Sequence, residues 1–294
     1  MNLLSFNPEN IIASLTEISN NDDNCSVVGG LSLPEVDKIK EVIVLIKSLI
    51  FPELFGASEN RDQNSAIHLN KLYILLNKQI FTALQFAETM DSPKEMARTF
   101  TVAFLNRLPH IKRLLRTDIQ SVHDNDPAST GLNEVILCYP ATRAMLHYRT
   151  AHELLLLGIP LLPRIITELA HSITGIDIHP AARIGEYFSI DHGTGIVIGE
   201  TCIIGNHVRL YQGVTLGAKG FVYDENGFPL NVPRHPIIED NVVIYSNSTI
   251  LGRITIGHDS IIGGNVWQVY SVPPHSRIVQ QRATTSSFSN GGGI

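Results

Sequence analysis

The chain has 294 residues, a hydrophobic fraction of 44% and a formal net charge of −6, which allow about two domains with sizeable cores and exclude wholesale disorder. The acidic balance and the lack of a basic run argue against a nucleic-acid partner bound through phosphate contacts. Three scattered cysteines, Cys25, Cys138 and Cys202, exclude a disulfide framework and a cysteine zinc cluster, and they favour a reducing compartment.

The N-terminal residues, MNLLSFNPEN, lack the charged segment followed by an apolar one that marks a secretory signal. No apolar run reaches about 18 residues, the length that a membrane-spanning helix needs. We therefore expect a cytoplasmic protein with no membrane segment.

Residues 1–174 carry the spacing of helices. Two helical faces have apolar residues three or four positions apart, at Val36, Ile39, Ile43, Ile46 and Ile50 and at Leu72, Leu76, Ile80 and Leu84. Ser92 and Glu95 form a potential capping box around Pro93, which predicts a helix start. A break at Gly158–Pro160 separates two later helices, and Gly175 ends the helical region.

From residue 177 the apolar period becomes six. Three registers keep it, namely Ile178, Ile184 and Ile190, then Ile198, Ile204, Leu210 and Leu216, then Ile238, Ile244, Ile250, Ile256 and Ile262. Neither a helix nor an ordinary strand produces this period, whereas each face of a β-helix does. The sequence predicts an N-terminal all-α domain over 1–174, a parallel β-helix of hexapeptide repeats over 175–278 and a flexible tail over 279–294.

The period first fails between Ile190 and Ile198, which are eight residues apart. The slip falls on the segment DHGTG, so Asp191 and His192 lie where the coil is irregular. Side chains at such a position can project away from the stacked interior. We therefore expect this pair to be functional.

The period fails again between Leu216 and Ile238, in the segment GAKGFVYDENGFPLNVPRHP. Its length and its glycines and prolines predict a loop extruded from the coil over 217–235. The loop ends in Arg234 and His235, so both irregularities place a histidine beside a charged residue.

Five segments now carry a resemblance to a known family. They are DIQSVHDNDPAS (118–129), DIHPAARIG (177–185), DHGTGIVIGET (191–201), VTLGAKG (214–220) and RHP (234–236). Together they resemble serine O-acetyltransferases, which are hexapeptide-repeat acyltransferases, over roughly residues 111–278. The resemblance implies a left-handed β-helix, opposite to the usual crossover preference, and a trimer or a dimer of trimers.

The resemblance implies acetyl transfer from acetyl-CoA to the L-serine hydroxyl, for cysteine biosynthesis. An alcohol needs a general base, and His192 takes that role by resemblance. Asp177 would orient its imidazole through a contact between coils. Direct transfer needs neither a cysteine nucleophile nor a metal.

The zwitterionic substrate requires groups of both charges. The resemblance implies that Asp126 and Asp191 hold the ammonium group, whereas Arg234 and His235 hold the carboxylate. A turn-forming role is the rival interpretation for Asp126, because Pro127 follows it.

The pantetheine arm of acetyl-CoA is expected along the coil edge. The implied contacts are Gly217, Ala218 and Ser246. Ala218 and Tyr245 depart from the family pattern, in which glycine is common at both positions, so these contacts are less specific than the catalytic pair. L-cysteine, which resembles serine, is a possible inhibitor.

The chain ends in SFSNGGGI. By resemblance, Ile294 would insert into the active site of O-acetylserine sulfhydrylase, because an α-carboxylate on an apolar side chain mimics an amino-acid ligand. A frayed tail is the alternative.

Three other functions remain open at this level. The first is an O-acetyltransferase for homoserine or a sugar, and the second is a non-catalytic scaffold for the sulfhydrylase. The third is a γ-type carbonic anhydrase, which uses three histidine zinc ligands. The histidines at 179, 192, 207 and 235 lack that ligand spacing.

Overall fold

The computed structural model describes residues 9, 12–13, 33–56, 61–87 and 92–281. Most of the predicted tail, including Ile294, lies outside the described residues, as does Cys25. Within those ranges the longer helices are α1 (Val36–Ile50), α2 (Pro52–Phe55), α3 (Arg61–Phe86), α4 (Pro93–Asn125), α5 (Leu132–Cys138), α6 (Pro140–Leu156) and α7 (Leu162–Thr174). None of these helices has the length and apolar character needed to cross a bilayer.

The helix boundaries follow the local signals with one exception. Helix α4 begins at Pro93 as predicted, but the Ser92 side chain makes no capping hydrogen bond. Helix α6 ends before Gly158, and α7 ends at Gly175, whose left-handed φ of 68° suits glycine. The predicted capping box is therefore wrong, whereas the predicted breaks are confirmed.

Short strands follow α7 in regular succession. They are β1 (Ile176–Ile178), β2 (Arg183–Ile184), β3 (Ser189–Asp191), β4 (Ile196–Ile198), β5 (Ile203–Ile204), β6 (Arg209–Tyr211), β7 (Thr215–Gly217), β8 (Ile237–Ile238), β9 (Val243–Ile244), β10 (Thr249–Leu251), β11 (Thr255–Ile256), β12 (Ile261–Ile262), β13 (Trp267–Gln268) and β14 (Arg277–Ile278). From β1 to β10, each strand pairs in parallel with the strand three places further along the chain. The chain therefore winds as the predicted β-helix.

Three parallel sheets form the faces of this coil. Sheet A contains β1-β4-β7-β10-β13, sheet B contains β2-β5-β8-β11, and sheet C contains β3-β6-β9-β12-β14. The chain turns at three edges, which we call A–B, B–C and C–A after the sheets they join. Each edge stacks one turn from every coil, so residues of one edge lie close together.

The interior is a stack of aliphatic side chains. In sheet A, Ile178 pairs with Ile198, Ile198 with Leu216, and Leu216 with Ile250. All four side chains are buried, as the six-residue period predicts. Cys202 is buried beside them, and burial raises its pKa to about 12, which makes it an inert core residue.

The strand register locates the two irregularities. Thr249 pairs with Trp267, eighteen residues later, which is the ordinary coil length. Ile176 pairs with Ile196, twenty residues later, so the first coil carries two extra residues. Thr215 pairs with Thr249, thirty-four residues later, so the loop adds sixteen residues to one coil.

A buried ion pair fixes the helices to the first coil. Arg149 of α6 donates to both carboxylate oxygens of Asp118 of α4 at 3.2 and 3.0 Å, and both side chains are only 4% exposed. The same guanidinium donates to the carbonyls of Ile184 and Gly185, each at 2.6 Å. Because the guanidinium meets several acceptors, its burial is compensated.

Candidate active site

His192 lies at the C–A edge, directly after strand β3. Its φ of 56° is in the left-handed region, which is uncommon for a residue with a side chain. Gly193 and Gly195 follow with φ of 93° and 81°, so the two extra residues of the first coil form an unusual turn. The His192 side chain is 73% exposed, and its Nε2 lies 3.6 Å from Asp191 Oδ1. The turn therefore presents the imidazole outward.

Asp126 ends helix α4 close to this turn. Its carboxylate accepts hydrogen bonds from the Tyr139 hydroxyl at 2.6 Å and from the Ala128 amide at 2.8 Å. These two bonds, the one from Tyr139 above all, lower the pKa of Asp126, to which the charge of His192 also contributes. The same contact raises the pKa of Tyr139 to about 12. Asp126 is therefore an oriented anion beside His192.

A small cavity joins Asp126 to strand β3. Its polar lining residues are Asn125, Asp126, Tyr139, Ser189, Asp191 and Arg209. Among the described residues, Ser189 Oγ and Arg209 Nε are buried without a hydrogen-bond partner. The C–A edge thus combines two carboxylates, one imidazole and unsatisfied polar atoms, a combination suited to a small charged ligand.

The other sequence-predicted pair lies at the A–B edge. Arg234 Nη2 pairs with Glu200 Oε2 at 2.5 Å. His235 is buried, and its Nδ1 accepts from the Thr201 amide at 3.1 Å. Burial, together with the charge of Arg234, lowers the pKa of His235 to about 4. His235 is therefore neutral near pH 7 and carries its proton on Nε2, which makes it a hydrogen-bond donor.

Gly199 gives His235 its place in this edge. A Cβ at Gly199 would overlap the imidazole of His235. The glycine after Ile198 therefore leaves room for the imidazole that the loop brings to this edge.

Asp177 projects outward from sheet A on β1, and its carboxylate lies near Glu168 and His171 of α7. Among the described residues, no ion pair within 4.0 Å joins Asp177 to His192. Asp177 acts electrostatically on His179, as Glu200 and Arg234 of the A–B edge do. The contact predicted between Asp177 and His192 is therefore not seen within one chain, and it stays a prediction.

The predicted acetyl-CoA residues are divided between the two edges. Gly217 and Ala218 leave β7 at the A–B edge, whereas Ser246 follows β9 at the C–A edge. One chain therefore carries two half-sites, one at each of the two edges that flank sheet A. The C–A half-site contains Asp126, Asp191, His192 and Ser246, and the A–B half-site contains Gly217, Ala218, Arg234 and His235. Asp177 projects from sheet A, between the two edges.

Sequence reasoning missed Tyr139, Glu200 and Thr201. Nothing in the sequence marks Tyr139, because its contact with Asp126 depends on how α5 folds back onto the end of α4. Glu200 and Thr201 do stand within the quoted segment DHGTGIVIGET, directly after a core strand. Both residues follow a strand of sheet A at the A–B edge, where the loop with Arg234 and His235 also returns. That shared position could have marked them as neighbours of the pair.

Comparisons with known proteins show which sequences and folds this chain resembles. The family model for the bacterial transferase hexapeptide (six repeats) matches residues 235–267. A serine acetyltransferase of Synechococcus elongatus, described as plasmid-borne, is 46% identical over 275 residues, which cover 89% of this chain and 86% of that protein.

Solved structures extend the similarity to the whole fold. Serine acetyltransferase isoform 3 of Entamoeba histolytica, in complex with cysteine, matches with a TM-score of 0.73 and 32% identity over 94% of both chains. A serine acetyltransferase in complex with CoA matches with a TM-score of 0.55 and 28% identity over 81% of this chain and 98% of that one. The all-α region followed by a left-handed parallel β-helix is thereby confirmed.

Proposed function

Because the chain belongs to the serine acetyltransferase family, we propose that its two half-sites are the two walls of one active site. The protein transfers an acetyl group from acetyl-CoA to the hydroxyl of L-serine and releases O-acetyl-L-serine and CoA, a step of cysteine biosynthesis. The observation that carries the assignment of residues is the exposed His192 beside Asp191, at the slip in the hexapeptide register.

His192 is the general base in this proposal. Its imidazole takes the proton of the serine hydroxyl as the oxygen attacks the thioester carbonyl. The tetrahedral intermediate then collapses, the carbon–sulfur bond breaks, and the imidazolium returns the proton to the departing CoA thiolate. No group of the enzyme is acylated, which agrees with the burial of Cys202.

The charges of the two half-sites match the substrate. Asp126 and Asp191 are anions at the C–A edge, where they suit the ammonium group of serine. Arg234 presents a planar guanidinium, and His235 carries a proton on Nε2, so both suit the carboxylate. The Arg234–Glu200 ion pair holds the guanidinium at the A–B edge until serine competes for it.

We propose that the two walls come from neighbouring copies of the chain. The C–A and A–B edges flank sheet A. When three copies turn sheet A toward a threefold axis, the C–A edge of each copy meets the A–B edge of the next. The neighbouring copy's Asp177 would then have access to His192. The assembly is a trimer or a dimer of trimers.

Mixed assemblies test this arrangement. Both His192→Ala and Arg234→Ala should be inactive alone. Co-expressed in equal amounts, they should recover about a quarter of wild-type activity, because one site in four combines two intact walls when copies mix at random. Zero recovery in assemblies verified as mixed would place both walls in one chain.

The reaction itself is tested by thiol release from acetyl-CoA, with L-serine compared with L-homoserine. Serine-dependent release that collapses in His192→Ala is expected. Release with homoserine alone would move the activity to another acceptor. A folded wild-type protein with no release would indicate a non-catalytic scaffold.

The pantetheine arm would run between the walls, along Gly217 and Ala218 of one copy and Ser246 of the next. A related protein of known structure binds CoA, which supports acetyl-CoA as the acyl donor. Another relative binds cysteine. L-Cysteine keeps the ammonium and carboxylate of serine, so we propose that it competes for the serine pocket.

Two further proposals concern the cell. The protein acts in the cytoplasm, and Ile294 binds O-acetylserine sulfhydrylase by entering its amino-acid site. Deletion of Ile294 should abolish co-purification of the two proteins without changing acetyl transfer. Unchanged binding would show that the tail does not serve as the ligand.

A further inference from the structure

The B–C edge lies away from both half-sites and carries a ladder of polar side chains. Successive turns place Tyr187, His207, Asn241, Asp259 and His275 at equivalent positions, all with φ between 56° and 59°. Tyr187 and His207 stack at 4.5 Å between ring centres. At the C-terminal end of the ladder, His258 joins Asp259 and His275. The sequence alone does not indicate a function for either histidine.

These three side chains converge on one point. His258 Nδ1 lies 2.7 Å from Asp259 Oδ2, and His275 Nδ1 lies 3.8 Å from the same oxygen. All three potential ligand atoms lie within 4.8 Å of one another. The two imidazoles meet edge to face, with ring centres 4.9 Å apart.

We propose that His258, Asp259 and His275 bind one divalent transition-metal ion of the zinc and cobalt class. Ligand bonds of about 2.0–2.1 Å in tetrahedral geometry separate neighbouring ligand atoms by about 3.3 Å. The separations of 2.7 and 3.8 Å lie on either side of that value, so small side-chain rotations suffice for the geometry. The ion would replace the proton of the hydrogen bond from His258 Nδ1 to Asp259 Oδ2, and that proton would be released to solvent. Two imidazoles and one carboxylate are a ligand set that such ions favour, and water completes the shell.

Neighbouring groups already orient the ligands. Asn241 Nδ2 donates to Asp259 Oδ1 at 3.0 Å, which leaves Oδ2 directed at the histidines. The His258 amide donates to Glu239 Oε2 at 2.8 Å, which fixes the backbone of this turn. Such second contacts increase metal affinity, because the ligands lose little freedom on binding.

The ion would connect two coils. His258 and Asp259 precede β12, whereas His275 precedes β14, the last strand of sheet C. A bound ion would therefore hold the final coil to the one below it and stabilise the C-terminal end of the β-helix. Acetyl transfer does not require it, since both half-sites lie on the other two edges. The site departs from the sequence-based expectation of no metal.

Spectroscopic titration of the full-length protein with Co²⁺, followed by displacement with Zn²⁺, tests the proposal. Wild-type protein should develop the visible absorption of low-coordinate Co²⁺, with one equivalent bound at this site. His258→Ala and His275→Ala should each lower the affinity for Co²⁺ at this site by about tenfold or more. Zn²⁺ should raise the unfolding temperature of wild-type protein, and His275→Ala should lose that increase.

Two matched variants control for other histidines. His207→Ala removes an imidazole from the same edge, and His171→Ala disrupts the other potential metal group, Glu168–His171–Asp177. Both variants should still bind Co²⁺ at the His258–Asp259–His275 site with wild-type affinity. The proposal is overturned if wild-type protein binds no Co²⁺ at micromolar concentrations. It is also overturned if the His258→Ala/His275→Ala double variant, folded and active, binds as many equivalents with the same affinity.

Discussion

Tyr139→Phe removes one hydroxyl from the C–A half-site and keeps the aromatic ring. The lost bond is the 2.6 Å contact to the Asp126 carboxylate, and hydrogen bonds to charged groups contribute about 1.5–3 kcal/mol. The Ala128 amide keeps its own bond to Asp126, so only part of the orientation is lost. At about 1.4 kcal/mol per factor of ten, we expect KM for L-serine to rise about tenfold.

The assay is steady-state thiol release with each substrate varied in turn. Tyr139 acts as a positioning residue, so kcat and KM for acetyl-CoA should change by less than about threefold. Tyr73→Phe, on helix α3 and outside both half-sites, is the matched control and should leave all constants unchanged. An unchanged KM for serine would refute the reasoning that Tyr139 holds the ammonium-binding carboxylate. A loss of kcat of the same size in both titrations, whether serine or acetyl-CoA is varied, would indicate general disruption of the fold instead.

Arg149→Ala should destabilise the protein by about 3–5 kcal/mol, because it leaves the Asp118 carboxylate buried and unpaired. The control Arg113→Ala breaks an exposed pair with Glu186 and should cost about 1 kcal/mol or less. Equal shifts of the urea unfolding midpoint for the two variants, at fixed protomer concentration, would contradict this expectation. His235 has a folded-state pKa of about 4, so the unfolded chain takes up its proton first and stability should fall as pH drops from about 6.5 toward 4. The loss attributable to this group is about 2–3 kcal/mol, and His235→Gln should show a correspondingly flatter pH dependence in the same assay.

The hexapeptide period predicted most of the β-helix, because each isoleucine of the pattern occupies one face of one coil. The same arithmetic located the irregular turn at His192 and the loop that ends at His235. Periodicity has this power because every inward position meets the same environment one coil later. The helical region was predictable where apolar residues recur three or four positions apart, and at boundaries such as Pro93, Gly158 and Gly175, where backbone conformation depends on local residues.

The arrangement of the candidate site was less accessible. The sequence placed His192 and His235 in similar contexts, but it did not reveal that sheet A separates them within one chain. The contact expected between Asp177 and His192 is not seen within the described part of one chain, and it stays a prediction. Tyr139 was invisible because its bond to Asp126 spans thirteen residues and depends on the packing of α5. Side-chain meetings between elements require a three-dimensional arrangement that no local pattern specifies.

The two extra residues of the first coil could be removed by a single small deletion in the gene. An in-frame loss of two codons, those for Gly193 and Thr194, would bring the first coil to the eighteen-residue length of its neighbours. The aliphatic stack would stay in phase, while the turn that displays His192 would be rebuilt as an ordinary corner. A chain altered in this way would keep its architecture but would no longer present the His192 imidazole at an irregular turn. In this architecture, one small deletion separates a coil with the candidate catalytic turn from a coil with regular corners only.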